Sequence, residues 1–188
     1  MDPDKAKLRQ RLLAARRALS PADVEAARAA IRVHVLARLE PSVRRVAAYQ
    51  PLRTEPGSDE LIDELTARGI QVLVPVLRDD RDLDWAPADD PALHLGLDAI
   101  ATVDLVLVPA LAVDARGTRL GRGGGSYDRA LTRVGRAPVA ALVYDGELLP
   151  RLPADPWDRP VDAAVTPSGW HAVGGPGWTG NAGISHHG

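Results

Sequence analysis

The chain has 188 residues, no cysteine, and a formal net charge of −2 from 23 basic and 25 acidic residues. With 45% hydrophobic residues it can bury the core of one domain, and the mixed charges argue against a surface that coats nucleic acid. The lack of cysteine excludes disulfides, thiolate catalysis and cysteine-ligated metals. Neither a signal peptide nor a membrane span is evident, so we expect a cytoplasmic protein without membrane partners.

Two helices are predicted at the amino terminus. Apolar residues at helical spacing indicate an amphipathic helix over residues 5–19, with Arg16 on its outer face. Lys5 and Arg9 share one face of this helix, as a solvated basic pair or as ligand-binding cations. Ser20 is the expected N-cap of a second helix that ends near Leu39.

Short apolar runs then alternate with helical patterns. Strands are predicted over residues 45–49, 71–76, 104–108, 138–144 and 161–165, with a short edge strand at 83–85. A helix capped by Ser58 and ending at Gly69 separates the first two strands. This order predicts a three-layer α/β domain with a mainly parallel sheet. Trp85 is expected to pack in the core or to stack on a ligand.

Polar residues follow the first strand, where ligands bind in open α/β sheets. Gln50 and Glu55 belong to this loop, and Glu55 is either an ordinary loop acid or a ligand contact. Asp162 lies within the last apolar run. A buried carboxylate needs a partner, which for Asp162 is either a structural hydrogen bond or a metal.

A glycine-rich loop follows the strand at 104–108. Four of the five residues 121–125 are glycine, and a helical pattern begins directly after them. Glycine backbones can turn several N–H groups toward one point, and a helix amino terminus adds positive charge. With Arg119, Arg122 and Asp128 around it, the loop predicts a site for phosphate, with ATP as the expected ligand, and for the Mg²⁺ that accompanies a nucleotide. A turn that only reverses the chain is the alternative, since the spacing fits neither the P-loop nor the dinucleotide motif.

The residues around this loop resemble the signature of 5-formyltetrahydrofolate cyclo-ligases, also called 5,10-methenyltetrahydrofolate synthetases. The match covers residues 108–114 and then Gly117-x-Arg119-Leu120-Gly121-x-Gly123-x-Gly125-x-Tyr127-Asp128. Three shorter elements also match, namely Lys5-x-x-x-Arg9, Glu55-x-x-Ser58 and Val161-Asp162-x-x-Val165. The resemblance implies the fold shared by sugar-phosphate isomerases and CoA transferases. It also implies ATP-dependent cyclisation of 5-formyltetrahydrofolate to 5,10-methenyltetrahydrofolate, with release of ADP and phosphate.

The resemblance assigns roles to individual residues. Arg119, Arg122 and Asp128 are the expected catalytic residues, and Asp128 with Asp162 is expected to bind Mg²⁺. The expected folate contacts are Gln50, Glu55, Arg122, Gly123 and Tyr127. The expected ATP contacts are Lys5, Arg9, Arg119, Leu120, Gly121, Arg122, Gly123, Gly124, Gly125, Ser126 and Tyr127.

One feature departs from the family pattern. Many cyclo-ligases have lysine and tyrosine where this chain has Gly124 and Ser126, and Arg122 is expected to compensate for the missing cation. A non-catalytic nucleotide- or folate-binding protein and a sugar-phosphate isomerase are the alternative functions. The cyclo-ligase-like domain is expected over residues 1–165, followed by a Gly/Pro-rich tail over 166–188. The expected partners are small molecules, and we expect a monomer or a weak dimer.

Overall fold

The computed structural model describes residues 3–174, and a seven-stranded sheet forms its centre. Ten strands are present in the described chain: β1 Arg45–Ala47, β2 Gln71–Leu77, β3 Leu83–Pro87, β4 Leu105–Pro109, β5 Ala112–Asp114, β6 Arg119–Leu120, β7 Val139–Leu142, β8 Leu148–Leu149, β9 Ala163–Thr166 and β10 Gly169–Ala172. The central sheet has the order β10-β9-β7-β4-β1-β2-β3.

Five neighbouring strands of the central sheet are parallel. Strand β1 pairs in parallel with β2 and β4, β4 with β7, and β7 with β9. The two edge strands, β3 and β10, run antiparallel to their neighbours. The predicted α/β class with a mainly parallel sheet is therefore confirmed, and the carboxyl ends of the five parallel strands meet at one edge.

Four α-helices and two short 3-10 helices accompany the sheets within residues 3–174. Ser20 caps the second helix through its hydroxyl, which accepts from the Asp23 N–H at 3.1 Å. Ser58 caps the third in the same way, accepting from the Leu61 N–H at 3.1 Å. The helices are α1 Pro3–Ala18, α2 Pro21–Arg38, α3 Asp59–Ala67 and α4 Ser126–Leu131, and the 3-10 helices are Leu97–Thr102 and Asp145–Glu147.

Both faces of the central sheet are buried, because alternate residues of each strand point to opposite sides. On one face, Val46 packs with residues of α2 and α3. On the other, Ala47 packs with residues of α4 and of the 3-10 helix Leu97–Thr102. The result is the predicted three-layer arrangement.

Helix α1 packs against a small second sheet, which has the strand order β6-β5-β8. Leu12 of α1 packs on Leu111 and Leu120 in a separate apolar cluster. Since Leu111 follows β4 directly, this packing sets α1 beside the carboxyl edge of the central sheet.

One local prediction from the sequence was wrong. Arg16, expected on the outer face of α1, is 2% exposed and pairs with Glu147 at 2.7 Å, because a buried carboxylate neutralises it. Strand β10, in which Trp170 Nε1 donates to the His34 carbonyl at 2.8 Å, lies within the region 166–188 that is predicted as a tail. Residues 175–188 of that tail lie outside the described residues.

One further expectation has a clear outcome. Trp85 is fully buried in the sheet core, which confirms packing rather than ligand stacking. None of the helices within residues 3–174 combines the length and the apolar character that crossing a membrane requires.

Candidate functional site

A cavity of about 570 Å³ opens at the carboxyl edge of the central sheet. Its walls come from the start of α1, the loop after β1, the glycine loop and residues 155–158. It brings together every predicted site residue except Asp162: Lys5, Arg9, Gln50, Glu55, Arg119, Leu120, Gly121, Arg122, Gly123, Gly124, Gly125, Ser126, Tyr127 and Asp128.

The glycine loop has a backbone conformation that residues with a side chain would adopt only under strain. Gly123 and Gly125 adopt φ angles of 103° and 73°, in the left-handed region. Gly125 is the N-cap of α4, so the loop passes directly into a short helix. Arg9 lies against the loop, with its Nε donating to the Gly121 carbonyl over 2.9 Å. The glycine loop and Arg9 therefore form one wall of the cavity.

Arg119 is a buried cation next to the glycine loop. It is 7% exposed, and its Nη2 donates to Asp128 Oδ1 at 2.9 Å. Its Nη1 donates to the Pro109 carbonyl at 3.3 Å, and its guanidinium lies 5.7 Å from the Tyr127 ring centre. Arg119 thus orients Asp128 and Tyr127 at the start of α4, in addition to contributing positive charge.

Lys5 is a second fixed cation of the cavity, on the same helix as Arg9. Its Nζ donates to Asp155 Oδ2 and to Asp158 Oδ2, each at 2.6 Å, and the residue is 4% exposed. Burial acts to lower the pKa of Lys5, but the hydrogen bonds and charges of the two aspartates outweigh it and raise the pKa. The ammonium therefore stays protonated at neutral pH.

Glu55 closes the cavity on the side of the loop after β1. It is 5% exposed, and its Oε2 accepts from the Leu52 N–H at 2.9 Å. Arg122 of the glycine loop reaches across to it, with Nε 3.1 Å from Glu55 Oε1. Arg28 of α2 braces the loop by donating to the Glu55 and Leu52 carbonyls, both at 3.0 Å.

Three buried polar atoms in the cavity wall have no hydrogen-bond partner within residues 3–174. They are the hydroxyls of Tyr49 and Tyr127 and the Nε of Arg119. Burial raises the pKa of both tyrosines, so both hydroxyls remain protonated donors at neutral pH. Because buried donors are normally paired, their convergence on one cavity indicates a polar ligand.

The prediction that Asp162 joins Asp128 at a metal was wrong. Asp162 precedes β9, so it lies at the amino edge of the parallel sheet, opposite to the cavity. There its Oδ2 accepts from the Val139 N–H at 2.8 Å, which confirms the structural hydrogen bond as its partner. It lines a separate cavity of about 990 Å³ together with Asp104.

A model of the 5-formyltetrahydrofolate cyclo-ligase family matches residues 1–167. The chain belongs to this family. It is 41% identical over 182 residues to the 5-formyltetrahydrofolate cyclo-ligase of Mycolicibacterium smegmatis, covering 87% of this chain and 93% of that one. The cyclo-ligase of Escherichia coli is 30% identical over 141 residues, covering 65% of this chain and 78% of the relative.

Two solved structures share the fold of this cyclo-ligase family member. The 5,10-methenyltetrahydrofolate synthetase of Mycoplasma pneumoniae has a TM-score of 0.76 and 26% identity, covering 89% of this chain and 99% of that chain. The 5,10-methenyltetrahydrofolate synthetase of Aquifex aeolicus has a TM-score of 0.71 and 27% identity, covering 97% of each chain.

Four polar or aromatic residues of the cavity were missed by the sequence analysis: Tyr49, Asp155, Trp157 and Asp158. The last three belong to a proline-containing stretch without periodicity, which predicted only an extended loop. Charge was the one signal available, since two aspartates flank an aromatic residue there. Trp157 is 68% exposed on the cavity rim.

The carboxylates of the cavity fit a metal that arrives with a nucleotide. No group of three or more metal-ligating side chains occurs among the described residues. Asp128 and Asp158 both line the cavity, and each uses one oxygen on a cation, Arg119 or Lys5. The Arg159 N–H donates to Asp128 Oδ1 at 3.3 Å, so the loop that carries Asp158 abuts Asp128. Mg²⁺ is commonly held by one or two carboxylates plus phosphate oxygens, which matches this donor set.

Proposed function

We propose that this protein cyclises 5-formyltetrahydrofolate to 5,10-methenyltetrahydrofolate, using ATP and releasing ADP and phosphate. One observation supports this above the others. Cations, carboxylates and a glycine-rich loop from four separate chain segments line a single cavity, in a member of the cyclo-ligase family. We further expect a cytoplasmic enzyme that is a monomer or a weak dimer.

The nucleotide is assigned to the wall formed by α1 and the glycine loop. Lys5 and Arg9 supply positive charge from α1, while residues 121–126 line the same cavity. Phosphoryl transfer depends mainly on alignment and on neutralising charge, and this wall provides both. Arg119 is already bonded to Asp128, so its main contribution is to hold that carboxylate and Tyr127 in place.

Mg²⁺ is assigned to Asp128 and Asp158 rather than to Asp128 and Asp162. When bound, the ion supplies charge neutralisation at the phosphate oxygens. Asp128 is oriented for this by Arg119, and Asp158 by Lys5. Both carboxylates keep a second oxygen that accepts no hydrogen bond from residues 3–174.

The folate is assigned to the side of the cavity that holds Glu55, with Gln50 beside it at the rim. The formyl oxygen attacks the γ-phosphorus of ATP, the bond to ADP breaks, and the oxygen becomes a phosphate leaving group. The second folate nitrogen then attacks the activated carbon, and phosphate departs with the oxygen. The protein must hold the formyl oxygen and the γ-phosphorus in line. Binding both ligands in one cavity makes this alignment possible.

Arg122 is the expected substitute for the lysine that many cyclo-ligases carry in the glycine loop. It is 42% exposed and its tip reaches Glu55, so it can turn from the folate side toward a phosphate. Gly124 and Ser126 leave the loop with no other cation between residues 123 and 128.

A direct turnover assay tests the proposal. Purified protein with Mg-ATP and 5-formyltetrahydrofolate is expected to generate the methenyl chromophore and one ADP per product. Binding of both ligands without ADP release would contradict catalysis and support a binding protein. Nucleotide-independent isomerisation of a sugar phosphate would support the isomerase alternative instead.

A further inference from the structure

Tyr49 is a buried residue of the cavity to which neither the family resemblance nor the comparisons give a role. It follows β1 by two residues, at the carboxyl edge of the sheet, and is 5% exposed. Its hydroxyl is one of the polar atoms that find no hydrogen-bond partner among residues 3–174. A buried hydroxyl without a partner costs free energy in the folded protein, whereas phenylalanine would fill the same space without that cost.

The loop that carries Glu55 holds the ring end of Tyr49 in place. A Cβ on Gly57 would lie 2.8 Å from the Tyr49 hydroxyl oxygen, so the loop that carries Glu55 passes directly over the ring end. Glu55 lies two residues before Gly57 and lines the same cavity. The tyrosine ring is thereby packed below the loop, and the hydroxyl cannot turn away into solvent.

The chemistry beside Tyr49 favours the folate over the nucleotide. Glu55 is a hydrogen-bond acceptor, and Tyr49 is a neutral donor because burial raises its pKa. An acceptor next to a neutral donor matches a cyclic amide, in which an N–H lies beside a carbonyl oxygen. The pterin ring of a reduced folate carries this pair of groups. The cations that suit phosphates, Lys5 and Arg9, belong to α1 instead.

We propose that Tyr49 is a substrate-binding residue, whose hydroxyl donates a hydrogen bond to the ring carbonyl of the pterin while Glu55 accepts from the adjacent N–H. This assignment rests on the proposed function, because it takes a reduced folate as the substrate. Under this assignment Tyr49 helps to determine specificity for the pterin ring. The pterin carbonyl is then the hydrogen-bond partner that the Tyr49 hydroxyl lacks in the protein.

The test compares Tyr49→Phe with Tyr144→Phe in the full chain. Calorimetry with 5-formyltetrahydrofolate is expected to show 5- to 20-fold weaker binding to Y49F, roughly the loss of one hydrogen bond, and binding of a non-hydrolysable Mg-ATP analogue within about twofold of wild type. Without ligand, Y49F is expected to melt at or above the wild-type temperature, since no protein hydrogen bond is lost. Y144F is expected to melt lower, because the Tyr144 hydroxyl donates to the Thr54 carbonyl at 2.9 Å.

Two results would overturn the assignment. They are folate binding by Y49F within twofold of wild type, and a melting temperature for Y49F as low as that of Y144F. Failure of the proposed function is seen separately, in the wild-type protein. If wild type binds the folate without turnover and Y49F binds it more weakly, the proposed catalysis fails and the role of Tyr49 stands. If wild type does not bind the folate, both fail.

Discussion

Arg122 and Glu55 are bonded to each other across the cavity, with Arg122 Nε 3.1 Å from Glu55 Oε1. The first belongs to the glycine loop and the second to the loop after β1. The two walls that are assigned to different ligands therefore share one ion pair. A folate that approaches Glu55 competes with Arg122, and a phosphate that attracts Arg122 leaves Glu55 available.

The role of Glu55 can be tested with Glu55→Gln, which keeps the shape and removes the charge. We expect the KM for 5-formyltetrahydrofolate to rise at least tenfold, because a charge-assisted hydrogen bond is worth about 1.5–3 kcal/mol. The KM for ATP is expected to stay within about threefold, since phosphates do not bind a carboxylate. Glu60→Gln, on the exposed first turn of α3, is the matched control. Equal changes in both KM values would contradict the assignment of Glu55 to folate.

The role of Lys5 can be tested with Lys5→Met, which keeps the aliphatic length. We expect the affinity for Mg-ATP to fall at least tenfold, as judged by calorimetry, and the folate affinity to remain unchanged, because Lys5 projects from the α1 wall. Lys7→Met is the control, because Lys7 is exposed on the same helix. A K5M variant that binds Mg-ATP like wild type would remove Lys5 from the nucleotide site.

The corrected metal assignment separates three aspartates. Asp128→Asn and Asp158→Asn are each expected to raise the Mg²⁺ concentration needed for half-maximal turnover at fixed ATP, by at least fivefold. Asp162→Asn is expected to keep the wild-type Mg²⁺ dependence, because its amide oxygen can still accept from the Val139 N–H at the opposite edge of the sheet. A strong Mg²⁺ effect in D162N alone would restore the assignment that the structure contradicts.

The buried pair of Arg16 and Glu147 anchors α1. Arg16 also donates to the Ala110 carbonyl at 2.6 Å and stacks on the Tyr144 ring at 5.4 Å. Arg16→Met leaves Glu147 buried without its partner, so we expect a loss of about 3–5 kcal/mol in the free energy of unfolding. Arg17→Met, exposed on the next position, is expected to change it by less than about 0.5 kcal/mol. Urea denaturation measures both, and similar stabilities would show that the pair does not anchor the helix.

Acid stability is expected to depend on Asp114, at the end of β5. Burial acts to raise its pKa, but hydrogen bonds from Leu152, Arg116 and Thr118 outweigh burial and lower it. A folded pKa below the unfolded value of about 3.9 adds stability above that pH, and the gain is lost as the pH falls through the folded pKa. Urea unfolding of Asp114→Asn is therefore expected to vary less than wild type between about pH 5 and pH 3. Identical pH profiles would contradict this role.

Much of the fold was predictable because local rules agree with the tertiary structure. The runs that became β4 and β7 are apolar on both faces, as buried parallel strands require, and Ser20 and Ser58 mark helix starts. The glycine loop was predictable as well, because its sequence pattern is local. It lies at the carboxyl edge of the sheet, where the expected ligands would bind.

The remaining features depend on partners far away in the chain. Arg16 is separated from Glu147 by 131 residues, and Lys5 from Asp158 by 153, so no local pattern indicates either pair. Asp162 was assigned to the wrong edge because a short sequence match gives no strand direction. Strand β10 has a weak signal of its own and forms because β9 offers an edge to pair with.

The most direct measurement follows methenyltetrahydrofolate formation in wild-type protein with saturating 5-formyltetrahydrofolate, with and without Mg-ATP. We expect the methenyl absorbance to appear only with Mg-ATP, in step with ADP, and to appear more slowly in D128N at the same Mg²⁺ concentration. A protein that is folded, binds both ligands and yet forms no methenyl product would contradict the proposed reaction.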